Sequence, residues 1–263
     1  MKVITFLNEK GGVGKTTLAT AFASILASQY RVLVIDTDSQ GHSTLRMRVK
    51  REDGFYYLLG ENWSWRDVLR PVAPGFYGGE TDDPRLWIIP GNSGTRKLGN
   101  GLNTLSLKRR LAEIEAAFDF VIIDTSPAIN DIHTALYAAS DYLVFPTECT
   151  FLSIQGIINS LKHLEAARRK FTEKNVPCAV PLGVIPNRFN GKKSLHYQNL
   201  GWLQGRYGEE LTLFSSIRFL TAWEQAEQMG QPVHLYKRGR TGAKAEALNM
   251  VDEILSCIQT GVA

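Results

Sequence analysis

The sequence predicts an α/β fold, a doubly wound and mostly parallel sheet flanked by helices, and three observations predict it. Apolar runs of strand length recur along the chain, and most are continuous rather than alternating, as expected when helices cover both sheet faces. Stretches with apolar residues at helical spacing lie between them, and alternation of strand and helix implies parallel strands joined by right-handed crossovers. Third, a glycine-rich string, NEKGGVGKTT at residues 8–17, falls between the first run and the first helix, at the edge where such sheets bind ligands.

Taken in order, Val3 to Leu7 reads as a short β-rich strand, and Thr16 to Gln29 as a helix with Leu18, Phe22, Ile25 and Leu26 at helical spacing. RVLVID (31–36), FDFVIID (118–124) and DYLVFPT (141–147) are the next strands, and AVPLGVIPN (179–187) is another, interrupted by Pro181. Helices are expected at about 104–117, 131–139 and 151–174. Residues 46–103 break the rhythm with Gly, Pro and Trp. They read as an irregular insertion within one domain spanning 1–263, carrying a short helix near Trp65 to Leu69 and a strand at Leu86 to Ile89. The N-terminal segment lacks a cleavage region and reads as a strand of the mature protein, and no window is apolar enough for a transmembrane helix.

The composition is that of an ordinary globular chain, 44% hydrophobic and 21% charged over 263 residues. Cys149, Cys178 and Cys257 are far apart and form no CxxC pair, which argues against a zinc site or redox dithiol within the chain. They read as inert thiols in a reducing cytoplasm. The net charge of +4 is unevenly placed: residues 187–244 hold nine Lys or Arg against four Glu.

The loops after residues 7, 36, 124 and 186 are expected to converge on one site. In the first, Gly11, Gly12 and Gly14 free the backbone amides around Val13, and amides curling round an anion beside a helix N-terminus make a phosphate cradle. Lys15 supplies the charge for the β- and γ-phosphates, Thr16 a hydroxyl for Mg²⁺, and Thr17 completes the string. The string departs from the GxxxxGK[ST] template, because Glu9 stands where a glycine is required and a second lysine, Lys10, follows. The second strand ends in IDTDSQG, where Asp36 and Asp38 point to opposite sides. One acid is left for the Mg²⁺ shell, assigned to Asp36, and one, Asp38, to face the γ-phosphate and orient water. FDFVIID ends in Asp124, an apolar strand with a terminal acid, expected to bind Mg²⁺ directly or through water.

KGGVGKTT, IDTDSQG and VIIDTSP, in this order and spacing, resemble the deviant Walker A P-loop ATPases of the ParA and MinD superfamily over nearly the whole chain. The resemblance implies that Lys10 reaches across a nucleotide-sandwich homodimer to the partner's ATP, so that ATP drives dimerisation; a plain surface lysine is the other reading. It also implies that Asn187, in VIPNRF, reads adenine, although a turn-capping role is open to it, and that Pro232 and Val233 pack on the base. Residues 38–43 and 125–131 correspond to switches I and II.

Members of the superfamily differ in what the dimer binds. The segment MVDEILSCIQTGVA has two acids and no Lys or Arg, which disfavours the basic membrane helix of MinD-like proteins. The cysteines do not match the cluster-bridging relatives. The ParA branch remains, implying nonspecific DNA as partner, with Arg188, Lys192, Lys193, Arg218, Lys237, Arg238, Arg240 and Lys244 as candidate phosphate contacts. With the loop starting at residue 8, the chain is expected to resemble short ParA proteins without an N-terminal helix-turn-helix. The expected protein is a cytoplasmic, nucleoid-associated ATPase without membrane attachment. A ParB-like or other adaptor would stimulate its hydrolysis, and its cargo would be a plasmid, a chromosome origin or another body. A MinD-like membrane-associated scaffold and an ATP-dependent ligase or kinase of the same fold are the alternatives.

Overall fold

The computed structural model describes residues 1–79, 83–99, 101–128, 130–237 and 242–261. The first half of the chain runs β1 (Lys2–Phe6), α1 (Lys15–Leu26), β2 (Val32–Asp36), α2 (His42–Arg46), α3 (Phe55–Leu59), α4 (Trp65–Val68), β3 (Arg70–Pro71), β4 (Leu86–Ile89), α5 (Ser106–Ala112) and β5 (Phe120–Asp124). The second half runs α6 (Asp131–Ala139), β6 (Tyr142–Glu148), α7 (Phe151–Glu173), β7 (Val180–Asn187), α8 (Ser194–Tyr207), β8 (Thr212–Leu213), α9 (Thr221–Gln228) and α10 (Ala243–Thr260).

Among the described residues one sheet collects eight strands in the order β3-β4-β2-β5-β1-β6-β7-β8. Every pairing is parallel except β3 against β4. The mostly parallel α/β sheet read from the sequence is the observed one. Side chains explain the continuous apolar runs. Val34 and Ile122 point into a core shared with Phe22 of α1 and Met250 of α10, whereas their neighbours Leu33, Ile35, Val121 and Ile123 point into a core with Leu107 and Leu136 of α5 and α6. Alternate residues thus face opposite helix layers, and both sets must be apolar.

Described parts of 46–103 build one edge of this sheet. β4 pairs with β2 from Val32↔Leu86 to Ile35↔Ile89, and Phe55, Leu58 and Trp65 pack against Leu33 and Ile35. Register then sets the site. Phe6 of β1 and Asp36 of β2 both lie opposite Asp124 of β5, so these strands end in line and their loops share one rim.

Candidate active site

The loop after β1 is pinned before it turns. Asn8 is fully buried, and its amide donates to the carbonyls of Pro146 (2.8 Å) and Ser153 (3.3 Å) while its Oδ1 accepts the Lys10 amide at 2.8 Å. Gly156 of α7 packs so closely beneath that a Cβ there would come within 2.3 Å of Asn8 Oδ1. Gly12 and Gly14 take φ of +82° and +97°, and Gly14 caps α1. These left-handed angles suit glycine, and at Gly14 a Cβ would also meet the Asn187 amide at 2.1 Å. The curl leaves the amides of the loop beside the start of α1, the arrangement that attracts anions.

Lys15 is 6% exposed and donates to the Lys10 carbonyl at 3.2 Å. Burial lowers its pKa from the ordinary lysine value, and attraction to Asp124 and Asp38 works in the other direction. Asp124 is fully buried; its Oδ2 accepts the Thr16 hydroxyl and the Ser43 hydroxyl, each at 2.8 Å, and its Oδ1 has no hydrogen-bond partner among the described residues. Burial raises the Asp124 carboxyl above the usual range, while the two hydroxyls and Lys15 oppose that rise. Asp36, opposite it on β2, is pushed up to about 7 by burial first and by Asp124 second. A buried carboxylate oxygen without a partner is costly, and two buried acids on adjacent strands repel each other. A hard divalent cation with oxygen ligands relieves both, so the residues fit Mg²⁺.

The two acids of IDTDSQG do different things. Asp36 Oδ2 accepts the Thr44 amide (2.9 Å) and hydroxyl (2.7 Å), and its Oδ1 accepts the Asp38 amide at 3.1 Å. Its hydrogen bonds hold α2 in place. Asp38 instead lines a cavity of about 660 Å³ together with Gly11, Lys15, Thr16, His42 and Arg188, and its Oδ1 accepts the Gln40 amide at 2.9 Å. That volume lies within the range of nucleotide-sized sites.

Asn187 ends β7 and donates to the Val13 carbonyl at 2.9 Å, so it braces the loop. It lines a small crevice beside the main cavity, while Pro232 and Val233 line another with Trp223. The basic candidates are spread. Arg188 donates to the Gly12 carbonyl (3.2 Å) and pairs with Glu148 at 2.7 Å, and it lines the same cavity as Asp38 and Lys15. Arg218 pairs with Glu246. Lys192, Lys193, Lys237 and Lys244 are exposed, and Arg238 and Arg240 lie outside the described residues. Sequence reasoning missed Asn8, Ser43 and Thr44 as site residues. Only Gly41, at φ +62° with the Gly91 carbonyl 2.4 Å from where its Cβ would stand, marks the tight turn that swings Ser43 toward Asp124.

Two histidines are also buried. Burial lowers His133 of α6 to about 4, with Lys15 and His163 adding to the fall, and burial lowers His234 to about 4 with help from Lys244. Because these folded values lie below the unfolded value of 6.5, the stability they carry is present above pH 6.5 and is lost as pH falls toward 4. Each withdraws at most about 2 kcal/mol between pH 7 and pH 5. In urea titrations the double variant His133→Gln/His234→Gln is expected to show a flatter pH dependence than wild type; equal losses would contradict it.

Residues 1–176 match the model of an AAA-domain family. The cell division protein PomZ of Myxococcus xanthus is 34% identical over 260 residues, covering 95% of this chain and 76% of PomZ. The chromosome-partitioning ATPase Soj of Thermus thermophilus is 26% identical over 261 residues, with 97% and 96% covered. Among solved structures, an ATP complex of a Cyanothece McdA variant superposes with a TM-score of 0.82 at 23% identity, covering 97% of this chain and 96% of that one. No helix among the described residues is long and apolar enough to cross a membrane.

Proposed function

The chain belongs to the ParA/MinD family of P-loop ATPases, to which a cell division protein and a chromosome-partitioning ATPase are similar here, and from that premise we propose that it is an ATP-driven dimerisation switch on DNA. The monomer takes Mg-ATP at the loop, two copies close face to face, the dimer binds DNA without sequence preference, and an adaptor protein triggers hydrolysis and release. A plasmid, a chromosome origin or another body is positioned by the cycle.

The observation that carries this reading is Lys10. Its backbone is fixed on both sides, its amide on Asn8 and its carbonyl on Lys15, yet its side chain is exposed and has no ion-pair partner among the described residues. A cation carried on a fixed backbone at the rim of this loop, unneutralised among the described residues, suits charge supplied to a second copy's nucleotide. Within the site, Lys15 and the loop amides would hold the phosphates, and Thr16 and Asp124 would hold Mg²⁺, which would neutralise phosphate charge. Asp36, whose oxygens already accept from Thr44 and Asp38, borders this shell and sets α2. Asp38 takes the attacking water's proton side. Asn187 keeps the loop closed next to the base, with Val233 and Pro232 on the other side. Exposed Lys192, Lys193, Lys237 and Lys244 supply DNA-phosphate contacts.

A gel-shift series on random DNA without nucleotide, with ADP and with ATP tests the reading. ATP-dependent binding that weakens steeply with salt is expected; binding independent of ATP, or none at any salt, would overturn it. Lys10→Ala is expected to abolish the ATP-dependent dimer in light scattering while leaving nucleotide affinity within a few-fold. Dimers that persist in this variant would remove Lys10 from the account.

A further inference from the structure

Three cavities open along the first turn of α1, and Thr17 and Glu227 line all of them. One is the phosphate cavity of about 660 Å³; the others, about 50 and 20 Å³, hold Asn187 and Val233 respectively. Thr17 directly follows Thr16, so a nucleotide leaving the phosphate loop for either crevice passes beside it. On the nucleotide reading, Glu227 of α9 borders both the phosphate end and the crevices beside the base, the stretch that a sugar would span.

The chemistry of Glu227 narrows what it meets there. A carboxylate only accepts hydrogen bonds, and the phosphate chain of a nucleotide has none to donate, whereas a ribose offers two adjacent hydroxyls. An unneutralised carboxylate would also repel the triphosphate. Here Arg46, the last residue of α2, forms an ion pair with it; the Arg46 side chain is 16% exposed and that of Glu227 50%, so the acid is neutralised from within and open on its outer side. Arg48 donates to the Met229 carbonyl at 2.6 Å and holds the same two segments together. We propose that Glu227 is the sugar-binding residue of this site, accepting hydrogen bonds from the 2′- and 3′-hydroxyls of a ribonucleoside triphosphate, with Arg46 neutralising and positioning it. The inference rests on the nucleotide reading above and adds to it a selection for ribonucleotides over deoxyribonucleotides.

Equilibrium binding of ATP, 2′-deoxy-ATP and 3′-deoxy-ATP to the full chain tests it. Wild type is expected to lose about tenfold or more for each missing hydroxyl, the usual cost of a hydrogen bond to a charged acceptor. Glu227→Ala should bind all three alike, and Glu227→Gln, which keeps one acceptor oxygen, should retain part of the discrimination. Arg46→Ala should weaken ATP several-fold more than adenosine, because the acid then faces the triphosphate unneutralised; equal weakening would remove Arg46 from the proposal. Equal wild-type affinities, or discrimination that survives Glu227→Ala, would overturn it while leaving the nucleotide reading intact. Failure of wild type to bind ATP at all would overturn both.

Discussion

Lys15→Ala is expected to lower ATP affinity by at least two orders of magnitude, measured by equilibrium titration with a fluorescent ATP analogue. Lys15 is 6% exposed and lines the cavity, and among the described residues its ammonium donates to a single carbonyl, that of Lys10. Burying a charge is expensive unless it is paired, and Asp124 and Asp38 offset only part of the burial that depresses its pKa. A site that holds an under-compensated cation against glycine amides is built for an anion, and truncating one partner of a buried, hydrogen-bonded charge pair costs about 2–5 kcal/mol of binding. The same reasoning predicts that Lys15→Ala leaves the unfolding midpoint unchanged or raised, because a desolvated charge disappears from the interior. Loss of binding together with a collapse of stability would mean that Lys15 is a structural group.

Asp38→Ala is expected to behave oppositely. ATP affinity should hold or improve, since a carboxylate facing the phosphate chain is removed, while turnover falls about 100-fold or more, in the range lost with a group that positions or deprotonates water. The structure separates Asp38 from its neighbour in the motif. Asp36 is consumed by Thr44 and the Asp38 amide and is expected to cost folding stability when replaced, whereas the Asp38 carboxylate lines the cavity and accepts one backbone amide, that of Gln40. Turnover is read by phosphate release with the protein saturated in Mg-ATP. Unchanged turnover, or binding lost in parallel with it, would exclude the assigned role.

Much of this was legible beforehand because it is local. The phosphate loop lies between one strand and one helix, and its glycines, Lys15 and Thr16 act within a few residues of each other. The strand ends at Asp36 and Asp124 announced themselves as apolar runs stopping at an acid, and the parallel sheet aligned them at one rim. Elements failed to announce themselves where the pattern is weak. α8 carries Gly201 and Gly205 in its interior, each costing about 1 kcal/mol of helix propensity, and buries few of its side chains. The helix expected over 104–117 stops at Ala112, where the chain turns down through Glu113 and Ile114 toward β5.

The candidate DNA contacts show the limit of counting charges. The excess of Lys and Arg in 187–244 is a property of composition, but pairing divides it: Arg188 is spent on the loop and Glu148, and Arg218 on Glu246, while Lys192, Lys193, Lys237 and Lys244 face outward.

By itself the sequence determined the fold class, the phosphate loop and the pair of strand-end acids, because backbone propensity, side-chain alternation and loop chemistry act over short stretches of chain. Tertiary structure alone decided which groups complete the site: Asn8 clamping the loop to β6 and α7, Ser43 reaching Asp124 across 81 residues, and Arg46 meeting Glu227. Hydrogen bonds and ion pairs are made wherever folding brings donors to acceptors, and no spacing in the chain encodes a partner that only the closed sheet supplies.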